Sequence, residues 1–193
     1  VSTLNLSNQD WLAGRYVLSS SGPAAGVVNE GQLRTSLGGR VALLGGAVEN
    51  RGLIETPGGQ VVLAAGQSVE LLDTGAPNLS VKVTAPQGEA LNLGTLTAAG
   101  GRIDIHAATV NQQGIVRADS LERGAGGEIV LKAGERLSLR AGSVTAADGE
   151  TGGRVTLLGD EVGLFDDASV SASGRVGGGE VFVGGGRQGR DNT

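Results

Sequence analysis

Asp166 and Asp167 are neighbouring aspartates, and a pair of carboxyls is the usual equipment for acid–base work on a substrate. In a strand, neighbours point to opposite faces and cannot share a substrate. The surrounding "LFDDAS" reads instead as a turn before a strand at Val170. Asp73 precedes Thr-Gly and also reads as a turn residue. His106 is the single histidine. It alternates with Ile103 and Ile105, which places it facing outward on the side of Asp104. A metal site needs partner ligands that the sequence does not supply around it. A serine triad would have to use the same histidine, and no Gly-x-Ser-x-Gly elbow accompanies it. "GGGEVFVGGG" (177–186) lacks the Lys and Ser/Thr of a phosphate loop. The reading is therefore not an enzyme, with no catalytic, cofactor-binding or metal-binding residue assigned and no cofactor. Phe182 and Phe165 are the remaining candidates. A ring in an outward strand slot suits protein or sugar contact; cover by a loop such as 119–126, or by further C-terminal coils, is the alternative.

The elements that position these residues follow from a repeated phrase. "GGRVALLGG" (38–46) returns as "GGQVVLAAG" (58–66), "GGRIDIHAA" (100–108), "GGEIVLKAG" (126–134), "GGRVTLLGD" (152–160) and "GGEVFVGGG" (178–186). Fixed-period self-similarity marks a solenoid. Within the phrase, Val41/Leu43, Val61/Leu63, Ile103/Ile105, Ile129/Leu131, Val155/Leu157 and Val181/Val183 keep a period of two, the signature of a strand with one buried face. A second phrase, Asn-x-(x)-Gly plus a short strand, precedes each first one: "VVNEGQLRT", "VENRGLIET", "LNLGTLTA", "VNQQGIVRA". Third strands are expected at "VELL" (69–72) and "LSLR" (137–140). The wide gap between 58 and 100 reads as two units with one phrase degraded, "LSVKVT" (79–84) filling the place. No window shows a capped helical stripe.

These units describe an all-β, right-handed parallel β-helix of three-strand coils with glycine corners. Residues 1–26 form its amino-terminal strands on the cap side and 27–193 its coils, one continuous domain. Seven or eight coils stacked at ~4.8 Å make a rod roughly 35 Å long. Asn29, Asn50 and Asn92 should form an inward or corner ladder. Arg40, Gln60, Arg102, Glu128, Arg154 and Glu180 should form an outward one, its last four members alternating in sign.

Composition agrees with a thin shaft. The 193 residues include 36 glycines, well above the ~7% of ordinary proteins. Trp11, Tyr16, Phe165 and Phe182 are the only aromatics, and Cys and Met are absent. A net charge of −5 excludes the basic footprint of a nucleic-acid binder. No apolar run reaches the ~18–20 residues of a membrane-spanning helix, and no signal peptide opens the chain. "VSTLNL" starts as if in mid-strand and "GGGRQGRDNT" ends without a cap, as expected of a piece of a larger protein.

"STLNLSNQDWLAGRYVLSS", then "VVNEGQL", then "GGRVALLGGAVENRGLIETPGGQVVLAAGQSVEL" resembles the amino-terminal secretion domain of two-partner-secretion exoproteins, the filamentous-haemagglutinin-like proteins of Gram-negative bacteria. Asn8-x-Asp10-Trp11-x-x-Gly14 is its most specific piece. The resemblance implies a secreted, surface-located β-helix, recognised by a partner transporter of the outer membrane and not inserted in the membrane itself. It implies an adhesin first; a haem- or host-protein-acquisition factor and a toxin-carrying filament are the alternatives, with a host surface protein or glycan as ligand. A carbohydrate-active β-helix enzyme, since some β-helices are polysaccharide lyases or hydrolases, is the least favoured reading. The family's Asn-Pro-Asn-Gly motif is not found in this sequence.

Overall fold

The structure is a computed structural model in which residues 1–72, 78–120 and 124–184 are described. Three parallel ladders run through it. The first joins the double-glycine strands: Arg40–Gly45, the start of Gln60–Leu72, the start of Arg102–Gln112, the start of Glu128–Leu139, Arg154–Leu158 and Glu180–Val183. The second joins Gly26–Asn29, Ala47–Asn50, Glu89–Asn92, the ends of the two long strands, and Glu161–Leu164. The third joins Gln32–Arg34, Leu53–Glu55, Thr95–Thr97, Ile115–Arg117, Val144–Ala146 and Ser169–Ser171. A register shift between Ala107 and Thr109 lets one continuous strand serve the first two ladders.

The expected register holds. Val41, Val61, Ile103, Ile129, Val155 and Val181 are Cα partners in sequence, one rung after another. So are Leu43, Leu63, Ile105, Leu131, Leu157 and Val183. From Leu43 to Leu157 these side chains are buried, and with Ile54, Leu96 and Val116 of the third ladder they form one aliphatic core. Each such burial contributes about 1.5–3 kcal/mol. The column is filled by branched aliphatics, so no ring is needed.

The glycine pairs act by close approach more than by backbone freedom. The first glycine has φ of +75°, +58° and +67° at Gly38, Gly58 and Gly100. The second packs its Cα on the carbonyl of its counterpart one rung below, at Gly59, Gly101, Gly127, Gly153 and Gly179. Any side chain there would strike backbone.

The long gap is not two units. Gln60–Leu72 pairs directly with residues 102–106, so 42 residues make a single step. The extra chain leaves the ladders and forms an antiparallel sheet on their outside. Residues 66–72 of Gln60–Leu72 pair with Tyr16–Ser19 on one edge and with Ser80–Pro86 on the other, and Tyr16–Ser19 in turn pairs with Asn5–Leu6. "VELL" and "LSVKVT" thus belong to this appended sheet, not to the coils. Each ladder has six rungs among the described residues, fewer than the seven or eight expected. "LSLR" does sit in a parallel ladder, on residues 110–112.

A second apolar cluster glues the sheet to the ladders: Leu4, Leu44, Val62, Ala64 and Val69, with Leu18, Leu71, Val81 and Val83 against them. The connection between its first two strands holds a one-turn helix, Asn8–Leu12, that the sequence reading lacks. Ser7 caps it, accepting from the Asp10 amide at 3.0 Å while its hydroxyl donates to Asp10 Oδ2 at 2.6 Å. Arg15 closes on the same carboxylate at 2.8 Å. The Ser7 hydrogen bond, then Arg15, hold the Asp10 carboxyl below the ordinary range. Trp11 and Tyr16 meet edge to face at 5.9 Å, with Trp11 61% exposed.

Candidate functional site

Where the appended sheet meets the ladders, polar side chains replace aliphatic ones. Gln60 is fully buried, although its ladder position was expected to face solvent. Its amide grips the incoming chain twice: Nε2 donates to the Leu79 carbonyl at 2.8 Å and Oε1 accepts from the Leu79 amide at 2.9 Å. It also donates to Asp104 Oδ2 at 2.7 Å. Asp104 is 1% exposed and accepts from Arg102 Nε at 2.9 Å. Arg102 goes on to pair with Glu128 one rung above. Burial pushes the Asp104 carboxyl up, but the hydrogen bonds from Arg102 and Gln60 and the charge of Arg102 outweigh it, so the carboxyl lies below the ordinary carboxylate range. Burial likewise lowers Arg102, and Asp104 with Glu128 reverse that to a net rise. A carboxylate so paired is a fastener, not a reagent.

His106 does not face solvent as expected. Its backbone points it outward, but Ser80–Pro86 lies above it and leaves the residue 8% exposed. Its Nε2 stands 3.8 Å from Asp104 Oδ1, too far for a hydrogen bond, and has no partner.

The other candidates are structural. Asp166 adopts φ +54° in a turn, as read, and Asp167 Oδ1 accepts from the Gly142 amide at 2.6 Å. The two carboxyls are not brought together with a base or a metal ligand set. Among the described residues no group of three or more His, Asp or Glu could hold a metal ion. Asp73 lies outside the described residues. Phe182 is half exposed, with the Arg154 guanidinium 5.8 Å from its ring centroid, and Phe165 carries Arg140 at 5.0 Å. In the outward ladder, Arg102–Glu128 and Arg154–Glu180 are ion pairs.

The amide ladder is present and one rung longer than read. Asn29 Nδ2 donates to Asn50 Oδ1 at 2.7 Å, Asn50 to Asn92 at 2.9 Å, and Asn92 to Gln112 Oε1 at 2.7 Å. At the fourth rung it is Gln112 that turns inward, while Asn111 turns out to Glu89. Leu139 takes the next place, which ends the chain of amides. Asn50→Ala leaves the Asn29 amide below without its Asn50 acceptor and the Asn92 carbonyl above without its donor, both in buried residues. It should cost about 1–3 kcal/mol per orphaned group, read as a lower urea midpoint at unchanged m-value.

No protein-family model and no curated protein matches this chain. A solved structure does: the crystal structure of the HMW1 secretion domain from Haemophilus influenzae is similar to it with a TM-score of 0.86 and 35% sequence identity, over 98% of this chain and 51% of that one. The chain belongs with the secretion domains of two-partner-secretion exoproteins. This secretion domain thus spans about half the length of the structure it matches. The similarity covers the appended sheet as well as the ladders. It identifies an exported exoprotein module. In the described residues of the secretion domain no helix is long and apolar enough to cross a membrane.

Proposed function

We propose that this domain is the secretion domain and proximal shaft of a large surface protein of a Gram-negative bacterium, an adhesin, recognised by an outer-membrane partner transporter. The observation that carries the reading is the likeness to a secretion domain over 98% of this chain, appended sheet included. On this reading the ladders wind as a right-handed parallel β-helix, because a crossover between parallel strands takes that hand in nearly all proteins. Residues 1–26 are the cap-side part; the described ladder strands between residues 27 and 183 are the coils, with the appended strands at 66–72 and 80–86 set outside them.

Export unfolded and folding outside fit the chain's physics. Without cysteines it forms no disulfide in the periplasm. Each rung pairs only with its neighbours, so folding can proceed rung by rung as chain emerges. The first unit is the exception. Tyr16–Ser19 pairs locally with Asn5–Leu6 but cannot join the rest of the sheet until residues 68–71 have followed, and Ser80–Pro86 completes it. The amino-terminal segment therefore stays available to a transporter while the first seventy residues are still unfolded.

The test is a fusion of the chain, carrying a cleavable export signal, to a reporter enzyme. It is expressed with and without the outer-membrane transporter encoded beside the parent gene. Reporter in the medium only with the transporter, and lost when residues 1–26 are deleted, is the expected result. Reporter retained in the periplasm with both parts present rejects the proposal.

A further inference from the structure

Gln60 and Asp104 stand in different rungs of the first ladder, yet they act together on a strand outside it. Gln60 is the register partner of Arg102, and Asp104 that of Val62, so the two lie diagonally across neighbouring rungs on the outward face. Every polar atom of the Gln60 amide is used. One N–H and the carbonyl oxygen hold the Leu79 backbone at 2.8 and 2.9 Å, at the mouth of Ser80–Pro86. The other N–H donates to Asp104 Oδ2 at 2.7 Å, 44 positions further along the chain. Without that acceptor, an amide N–H of a fully buried side chain is left unpaired, which is costly. The dependence runs both ways. Asp104 is a carboxylate with 1% exposure, and its burial needs the hydrogen bonds of Gln60 and Arg102.

The strand so clasped is otherwise weakly held. Among the described residues Ser80–Pro86 pairs on one side only, with residues 66–72. That pairing slips register twice, between Gly66 and Ser68 and between Ser68 and Val69. A two-stranded ribbon is marginal by itself. Val81 and Val83, both half-buried, are the strand's share of the apolar cluster over Val62 and Ala64. The pairing partner and that cluster all precede the strand in the chain, at Leu4, Leu44, Val62, Ala64 and Val69. The carboxylate that completes the clasp comes later, in the third rung.

We propose that the Gln60–Asp104 pair is a latch: the Ser80–Pro86 strap, and with it the appended sheet, locks onto the ladders only once the third rung is in place. Its use during export rests on the function proposed above. There the latch keeps the amino-terminal segment releasable until residue 104 has emerged, well after its own pairing partners at 68–71 are available.

Refolding of the 193-residue chain tests the latch with no transporter present, so its outcome and that of the reporter fusion are independent. Pulsed hydrogen exchange during dilution from urea, read by mass spectrometry of peptic fragments, follows residues 80–86, 102–106 and 128–133. Protection at 80–86 is expected with or after protection at 102–106; protection at 80–86 first overturns the proposal. That measurement is made on the parent chain and stands even if a variant fails to fold. At equilibrium, Asp104→Ala and Gln60→Ala should each speed exchange at 80–86 about tenfold or more and leave 128–133 within about threefold of the parent. The double variant should exchange at 80–86 no faster than the faster single one, because either loss opens the same latch. Asp104→Asn keeps an acceptor for the Gln60 amide and should recover most of the protection. Parental exchange at 80–86 in both alanine variants, equal acceleration in all three segments, or losses that add in the double variant show ordinary structural contacts and no latch.

Discussion

Leu131→Asp should yield no folded domain. Leu131 is fully buried, with Ile105 as its register partner below and Leu157 above. A carboxylate there meets only aliphatic carbon. Burying an unpaired charge costs several kcal/mol even after the group neutralises itself, and the lost aliphatic burial adds about 2–5 kcal/mol. A domain of this size has about 5–15 kcal/mol in all. The adjacent rung supplies the contrast. Asp104 is as deeply buried, yet stands in the outward slot with Arg102 and Gln60 on its oxygens. Thr156→Asp, also in an outward slot, should therefore change stability by less than about 1 kcal/mol. Circular dichroism and limited proteolysis decide the matter. A Leu131→Asp protein with parental spectrum and protease resistance shows that this side chain is not interior.

Much of the shaft is legible in the sequence because its physics is strictly periodic. The inward pair after each Gly-Gly has no alternative to aliphatic carbon, so the phrase repeats and the register can be read from it. The appended sheet is harder to see, since its pairings are antiparallel and join residues 16–19 to residues 68–71 across two rungs. A signal was present all the same. The outward slots of the first two rungs hold Ala42, Leu44, Val62 and Ala64, whereas later rungs place Asp104, His106 and Lys132 there. Apolar residues on both faces of a strand mean cover on both faces. That pattern, set beside the 42-residue step, points to an outside layer and against a degraded coil. Gln112 was missed for a local reason: Asn111 beside it fits the Asn-x-x-Gly phrase equally well, and only the register selects between them. The helix at Asn8–Leu12 is too short to show a periodic stripe, but Ser7 and Asp10 already spell a capping pair.

Gly127→Ala and Gly178→Ala differ by one position in the same phrase and should differ sharply in effect. A Cβ on Gly127 would lie 2.0 Å from the carbonyl oxygen of Gly101 and 2.9 Å from its carbon and nitrogen. Those atoms are backbone and cannot rotate away. The same oxygen accepts the Glu128 amide at 2.9 Å, so any retreat also breaks a rung of the ladder. The stack would have to open at this corner, and neighbouring corners are just as tight: the Cβ sites of Gly101 and Gly153 both lie 2.1 Å from the oxygen below. Strain with no route for relaxation puts the expected loss at about 3 kcal/mol or more. Gly178 has open space around its Cβ site and no left-handed φ. There, alanine only removes freedom from the unfolded chain, and stability should stay level or rise by about 0.5–1 kcal/mol. Urea unfolding of the two variants side by side tests the corner directly. Equal losses in both would mean that the double glycine serves the turn's conformation alone, and that rung-to-rung contact at the second glycine is not what demands it.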